Sequence, residues 1–387
     1  MAGIYVHIPF CASRCIYCGF YSSTRRELQL RYVKAVGREL QLRSHYLQKD
    51  ERIRTIYLGG GTPSQLSTAQ LQLLLGLLSE YVGQHNGVPA DRALDDLEVT
   101  MECNPDDVTD ELAAALSQLP VNRVSMGAQT FDDNRLRLIR RRHTAEQTGM
   151  AVRRLRNVGI NNISIDLMFG FPGETLDDWH SDIDQALSLG VEHLSAYALS
   201  YEEGTQLLRL LEEGMVKEID EELSLQMFED LTNRLTAAGY EHYEISNFAL
   251  PSHRSRHNSC YWDGTHYLGL GAAAHSYDGR SRQWNVDDVE RYIESIEAGE
   301  MDCGQEVIDE ITRYNELVMT ALRTCEGLSL ERIPSAYLPY FLKQAQRFLD
   351  DNLLVQEDGK VRLTRRGICV SNMVMSGLMR VENEQNG

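Results

Sequence analysis

The chain has 387 residues, 42% hydrophobic and 25% charged, with a formal net charge of −19. That composition suits a water-soluble globular protein large enough for one α/β unit plus an appendage. The acidic balance excludes a nucleic-acid surface as the main function, because neutralising phosphates needs a surplus of Lys and Arg.

Eight cysteines, three of them bunched, do not make a disulfide framework and point to a reducing compartment. No stretch reaches the ~18 apolar residues of a membrane span, and no basic or Ser-rich leader precedes the first apolar run. The expected location is cytoplasmic.

The first predicted strand covers residues 4–8. It runs through Pro9 into Cys11, Cys15 and Cys18, spaced C-x3-C-x2-C. Thiolates so spaced suit an iron–sulfur cluster, zinc or copper(I). A structural zinc takes four ligands, yet Phe20 stands where a fourth Cys is expected, so zinc would need His7 or a remote Cys. A four-iron cube on three thiolates leaves one iron open to a substrate.

A helix follows, with Leu28, Tyr32, Val33, Val36, Leu40 and Leu47 on its apolar face. The second strand, 55–58, ends in Gly59-Gly60-Gly61-Thr62-Pro63, and Ser67 with Gln70 opens a helix as a capping box. Further strands are predicted over 97–102, 123–129, 162–170 and 193–199, alternating with helices that include those opened by Thr109 and Thr175. Six β-α pairs of this kind predict a parallel sheet covered by helices. Periodicity alone does not say whether that sheet is open or a partial barrel. Cys11, Gly60, Glu102, Gln129, Asp166 and Ala198 all fall at or just past strand ends, the rim that builds active sites in βα-barrels.

Residues 204–239 read as helical and acidic. Residues 240–285 are aromatic and carry His253, His257, His266 and His275. The last part reads as helices plus a hairpin over 354–363, turned by Asp358-Gly359 as type I′: a winged-helix-like module. The expected division is a core barrel over 1–203, a helical and β-rich extension over 204–300, and the C-terminal module over 301–387.

Taken together, the cysteine motif, Tyr17 before its last Cys, and the Gly-rich second strand end resemble the radical S-adenosylmethionine (SAM) enzymes. The resemblance implies a partial (β/α)6 barrel and a [4Fe-4S] cluster on Cys11, Cys15 and Cys18 whose open iron chelates SAM. Tyr5-Val-His-Ile-Pro-Phe-Cys11, Glu102-Cys-Asn-Pro105, Ser125-Met-Gly-Ala-Gln129, Arg141-Arg-His143 and Asp166-Leu-Met-Phe-Gly-Phe-Pro172 resemble the HemN-like group, which includes oxygen-independent coproporphyrinogen III dehydrogenase. By that resemblance Tyr5, Tyr17, Gly60, Gly61, Thr62, Glu102, Gln129, Arg141, Asp166 and Ala198 would line the SAM site.

Phe20 in place of a fourth Cys, and Tyr5 so near the start, are similar to the heme-chaperone branch of that group. So is His257-Asn258-Ser259-Cys260-Tyr261-Trp262, which matches its H-N-x-x-Y-W motif. The branch more often has Asp where Gly19 stands. The resemblance implies heme held by His257, Asn258, Tyr261 and Trp262, and transfer of heme to acceptor proteins, including respiratory membrane proteins, by a chain that can dimerise.

The competing expectation is an enzyme that cleaves SAM to a 5′-deoxyadenosyl radical and decarboxylates a porphyrinogen. A DNA-binding regulator using Arg362, Arg365 and Arg366 is disfavoured by the charge. Cys103, Cys260, Cys303, Cys325 and Cys369 are expected to be packing residues.

Overall fold

Six parallel strands form the centre of the molecule: β1 (Ala2–Ile8), β2 (Ile53–Gly60), β3 (Glu98–Cys103), β4 (Arg123–Gln129), β5 (Asn162–Phe169) and β6 (His193–Ala198). The structure is a computed structural model and describes residues 1–381. The end of the expected C-terminal module, 382–387, lies outside the described residues.

Side chains alternate in chemistry along most of these strands. Ile4, Val6 and Ile8 of β1, Ile56 and Leu58 of β2, and Val99 and Met101 of β3 point outward into one large core shared with the helices. Burying each such side chain contributes about 1.5–3 kcal/mol. Their neighbours Tyr5, His7, Thr55, Tyr57, Glu98, Thr100 and Glu102 occupy the opposite face by the two-residue pleat. A parallel sheet covered by helices on both sides would be apolar throughout. Here the outer face meets the crossover helices, and the inner face lines a polar concavity that the short helix Arg256–Asp263 enters from one end.

The curve does not close. β6 pairs antiparallel with β8 (Asn247–Ala249), which pairs with β7 (Glu241–Glu244). On the other flank β1 pairs in parallel with β9 (His266–Leu270), and the sheet continues through β10 (His275–Tyr277), β11 (Ser281–Asn285) and β12 (Cys303–Val307). The result is one twelve-stranded mixed sheet around a partial barrel, as the motifs implied. The aromatic stretch 240–285 supplies every flanking strand except β12.

Local signals behave as their chemistry dictates. Ser67 and Gln70 form the reciprocal capping box, and Thr109 and Thr175 cap their helices. The first long helix stops at Leu42, earlier than the apolar pattern predicts, although Leu47 is still buried after the turn.

In the C-terminal part β13 (Leu328–Ser329), β14 (Leu354–Glu357) and β15 (Lys360–Leu363) form a small antiparallel sheet. Asp358 and Gly359 both take positive φ, 49° and 73°, as a type I′ turn requires. Helices Glu310–Ala321, Leu338–Asp350 and Ser371–Leu378 pack on that sheet around a separate core containing Tyr314, Phe341 and Val361. Cys103 and Cys260 are buried as expected. Cys303 and Cys325 are exposed and are not packing residues.

Candidate functional site

The cysteine loop leaves the end of β1. Its base is closed by Cys11 N–H donating to the Ser23 carbonyl (2.9 Å) and Ser23 N–H to that of Pro9 (2.6 Å). Ile16, between the second and third thiols, is buried in a small core with Met168, Phe171, Leu199 and Leu207, which fixes the loop over the strand ends. Cys11, Cys15 and Cys18 line one cavity together with Thr62, Asn104 and Arg141.

Thr62 Oγ1 donates to Cys11 Sγ (3.5 Å), and Arg141 Nη1 to Cys15 Sγ (3.7 Å). Arg141 is held in turn by Asn104 Oδ1 (2.7 Å) and the Gly127 carbonyl (2.5 Å). Burial pushes the Cys11 and Cys18 thiols above their ordinary range, so a cationic partner is needed to keep them as thiolates.

A single ion is poorly served here. Both ring nitrogens of His7 are engaged, by Tyr5 Oη (3.1 Å) and the Tyr21 carbonyl (3.2 Å). Among the described residues no three His, Cys, Asp or Glu side chains converge on one point. Three soft donors spread round one cavity beside a guanidinium fit a cluster, which takes its thiolates at separate corners.

The glycines of β2 are set by close approach. A Cβ on Gly61 would lie 2.8 Å from the Ile8 carbonyl oxygen, and Gly60 has φ of 106°. Gly60 N–H donates to Glu102 Oε2 (3.0 Å), while Tyr57 Oη donates to Glu102 Oε1 (2.8 Å). Burial pushes the Glu102 carboxyl up to about 7, against the lowering by Tyr57. Gln129 sits at φ 68° where the β4–β5 register shifts, a bulge that re-aims its side chain. Asp166 accepts from Ser125 Oγ (3.4 Å) and is raised by burial. Ala198 is exposed at the end of β6.

The expected SAM residues therefore gather at one mouth of the barrel. Tyr17, Gly61, Thr62 and Arg141 line the cysteine cavity itself, and Tyr5 lies deeper, bonded to His7. Tyr57 and Asn104 were missed. Tyr57 could have been found by alternation from Gly59, and Asn104 by its place directly after β3.

The four expected heme residues do not form one open pocket. They lie on the short helix Arg256–Asp263, whose first N–H groups meet the Glu98 carboxylate: His257 N–H to Oε1 at 3.0 Å and Arg256 N–H to Oε2 at 3.1 Å. Glu98 begins β3, so this helix plugs the barrel at the end opposite the cysteines. His257 and Tyr261 point inward, whereas Trp262 lines a cavity of about 250 Å³ against the C-terminal module, with Arg254 and Arg332.

His257 is 0% exposed. Its Nδ1 is paired with Thr55 Oγ1 (2.9 Å) and its Nε2 with Tyr261 Oη (3.1 Å), and the ring stacks on Tyr57 at 5.2 Å. Burial, then Arg123, lowers its pKa to about 3. In this conformation both imidazole nitrogens are engaged. Asn258 is half-buried; its backbone N–H is capped by Ser255 Oγ (3.3 Å).

The family model for the Radical SAM superfamily matches residues 5–186, and that for the HemN C-terminal domain matches 308–370. The heme chaperone HemW of Lactococcus lactis is 33% identical over 96% of this chain and 95% of its own length. The chain belongs to the HemW family. HemW of Bacillus subtilis is likewise 33% identical, over 98% of this chain and 99% of that one. Among solved structures, coproporphyrinogen III oxidase (HemN) of Escherichia coli has the same fold, with a TM-score of 0.81 at 21% identity over 98% of this chain and 90% of that one.

Membership in the radical SAM superfamily implies a [4Fe-4S] cluster and SAM. Phe20, where a fourth Cys would stand, is 75% exposed at the edge of the cysteine loop. No helix among the described residues is long and apolar enough to cross a membrane.

Proposed function

We propose that this protein is a heme chaperone that binds heme and passes it to heme-requiring acceptors. The observation that carries the reading is full-length identity, 33%, to proteins named heme chaperone HemW. In this reading Cys11, Cys15 and Cys18 hold a [4Fe-4S] cluster with one iron left for SAM. Tyr5, Tyr17, Gly60, Gly61, Thr62, Glu102, Gln129, Arg141, Asp166 and Ala198 surround the SAM. When bound, the cluster supplies redox chemistry; the residues around it orient SAM and exclude water.

Arg141 is a fixed cation for a carboxylate, and Glu102 is an acceptor for hydroxyl or ammonium groups. Heme ligation by His257, as the H-N-x-x-Y-W motif implies, requires Tyr261 Oη to release Nε2 and the helix Arg256–Asp263 to leave the barrel floor. The three-part division at 203 and 300, respiratory membrane acceptors, a homodimer and a cytoplasmic location belong to the same proposal.

The competing reading is a porphyrinogen dehydrogenase. It is favoured by the strand-end polar groups gathered at the cysteine mouth. The test is anaerobic titration of cluster-reconstituted protein with hemin, followed by transfer to a heme-free acceptor. Saturable uptake and transfer support the chaperone. No uptake, with SAM-dependent porphyrinogen decarboxylation, overturns it in favour of the enzyme.

A further inference from the structure

His257 is sealed, but a second histidine on the same face of the sheet is open. The strand register places Tyr57, Tyr5 and Gly269 side by side across β2, β1 and β9. Tyr267 pairs with Tyr277, and His275 pairs with Trp284, so β10 and β11 continue the row. Paired residues share a face and the pleat alternates every residue. His275, Tyr277, Arg282 and Trp284 therefore look out from the concave face that carries Tyr5 and Glu102.

Two glycines make this layout. A Cβ at Gly269 would collide with the His275 carbonyl, so its absence lets β10 fold in over β9. A Cβ at Gly304 would collide with the Trp284 ring, so the indole lies flat across β12.

The His275 imidazole is exposed, and no hydrogen bond or ion pair among the described residues engages it. Trp284, 38% exposed, runs alongside it with ring centroids 6.1 Å apart and planes 28° apart. Partial burial, then Arg282, holds the imidazole below its ordinary pKa, which keeps it neutral at pH 7 and ready to give a nitrogen lone pair to a metal. It lies close enough to His7 for their charges to interact. Arg282 is oriented by Glu316, to which its Nε donates (2.8 Å), and its guanidinium covers the Tyr277 ring at 5.4 Å.

We propose that heme docks on this face in the closed structure, with its iron ligated by His275 and its ring resting on the edge of Trp284. The inference rests on the heme-chaperone reading. An axial imidazole stands upright to the macrocycle, and an indole nearly parallel to that imidazole presents its edge to the porphyrin face, a favoured aromatic contact. Arg282 gives positive charge on the same side for a propionate. Heme here needs no movement of the barrel floor, and it sits beside the strand that leads into the cysteine loop.

The test is a hemin titration of full-length, cluster-reconstituted protein read by the Soret band, using wild type, His275→Ala, His275→Met, Trp284→Ala and His257→Ala. His275 is exposed and unbonded, so its variants fold; circular dichroism verifies this. The expected result is binding weakened by about tenfold or more in His275→Ala, restored toward the wild-type Soret position by added imidazole. His275→Met is expected to show an altered Soret position, and Trp284→Ala weaker binding. His275→Ala binding heme as wild type does, with His257→Ala abolishing it, overturns this inference and leaves the chaperone reading intact. Wild type failing to take up heme saturably overturns the chaperone reading itself.

Discussion

Replacing Glu102 with glutamine isolates the electrostatics of the barrel interior. Glu102 has a folded-state pKa of about 7, raised mainly by burial, against 4.5 unfolded. Between those values the folded chain keeps a proton that the unfolded chain has released. Stability from this group is therefore greatest at low pH and is lost as pH rises through the window.

The full shift corresponds to about 3 kcal/mol, of which about 2.5 kcal/mol falls between roughly pH 5 and 7.5. Glutamine does not titrate, and it can still accept one of the two hydrogen bonds now made by Tyr57 Oη and Gly60 N–H. The variant should lose about 1 kcal/mol at pH 5 for the missing bond, yet recover relative to wild type by about 2.5 kcal/mol on going to pH 7.5.

The assay is urea unfolding of cluster-free protein across that range. Glu174 is also raised to about 7 by burial, and buried histidines such as His257 titrate lower, but both proteins share them. Variant minus wild type thus reports Glu102 together with its charge coupling to Asp166. Parallel pH profiles for the two proteins would refute the assignment of a partly buried Glu102 whose carboxyl is raised to about 7.

Gly61→Ala puts a methyl against the backbone of Ile8 and Pro9. It should cost about 1–3 kcal/mol and lower iron uptake on reconstitution, measured as iron and sulfide per chain. Arg141→Lys keeps the charge but cannot span Cys15, Asn104 and Gly127 at once; the cluster should form, with SAM binding weakened by about tenfold in calorimetry. His257→Ala leaves Thr55 and Tyr261 without their partner inside the barrel and should destabilise by about 2–4 kcal/mol in urea unfolding. A fully stable variant would mean that the helix Arg256–Asp263 is not seated as described.

The sequence by itself determined whatever depends on neighbours along the chain. The order of strands and helices, the capping boxes, the Asp358-Gly359 turn and the three-thiol loop were all legible, because backbone conformation and helix capping act over a few residues. The placing of Gly60, Glu102, Gln129 and Asp166 at one rim was legible too, since parallel strands of similar length bring their ends together.

What only the tertiary structure decided depends on which face of an element meets which partner. The six motif residues His257 to Trp262 read as one pocket, but a helical turn of 3.6 residues sends His257 and Tyr261 into the barrel and Trp262 to the other side. Nothing local foretells that Glu98, far away in sequence, pins that helix by its N–H groups. The same holds for His275 and Trp284. Nine residues apart in the chain, they face each other because β10 and β11 pair in that register, and they open onto the concavity because the pleat that continues from Tyr5 turns them inward.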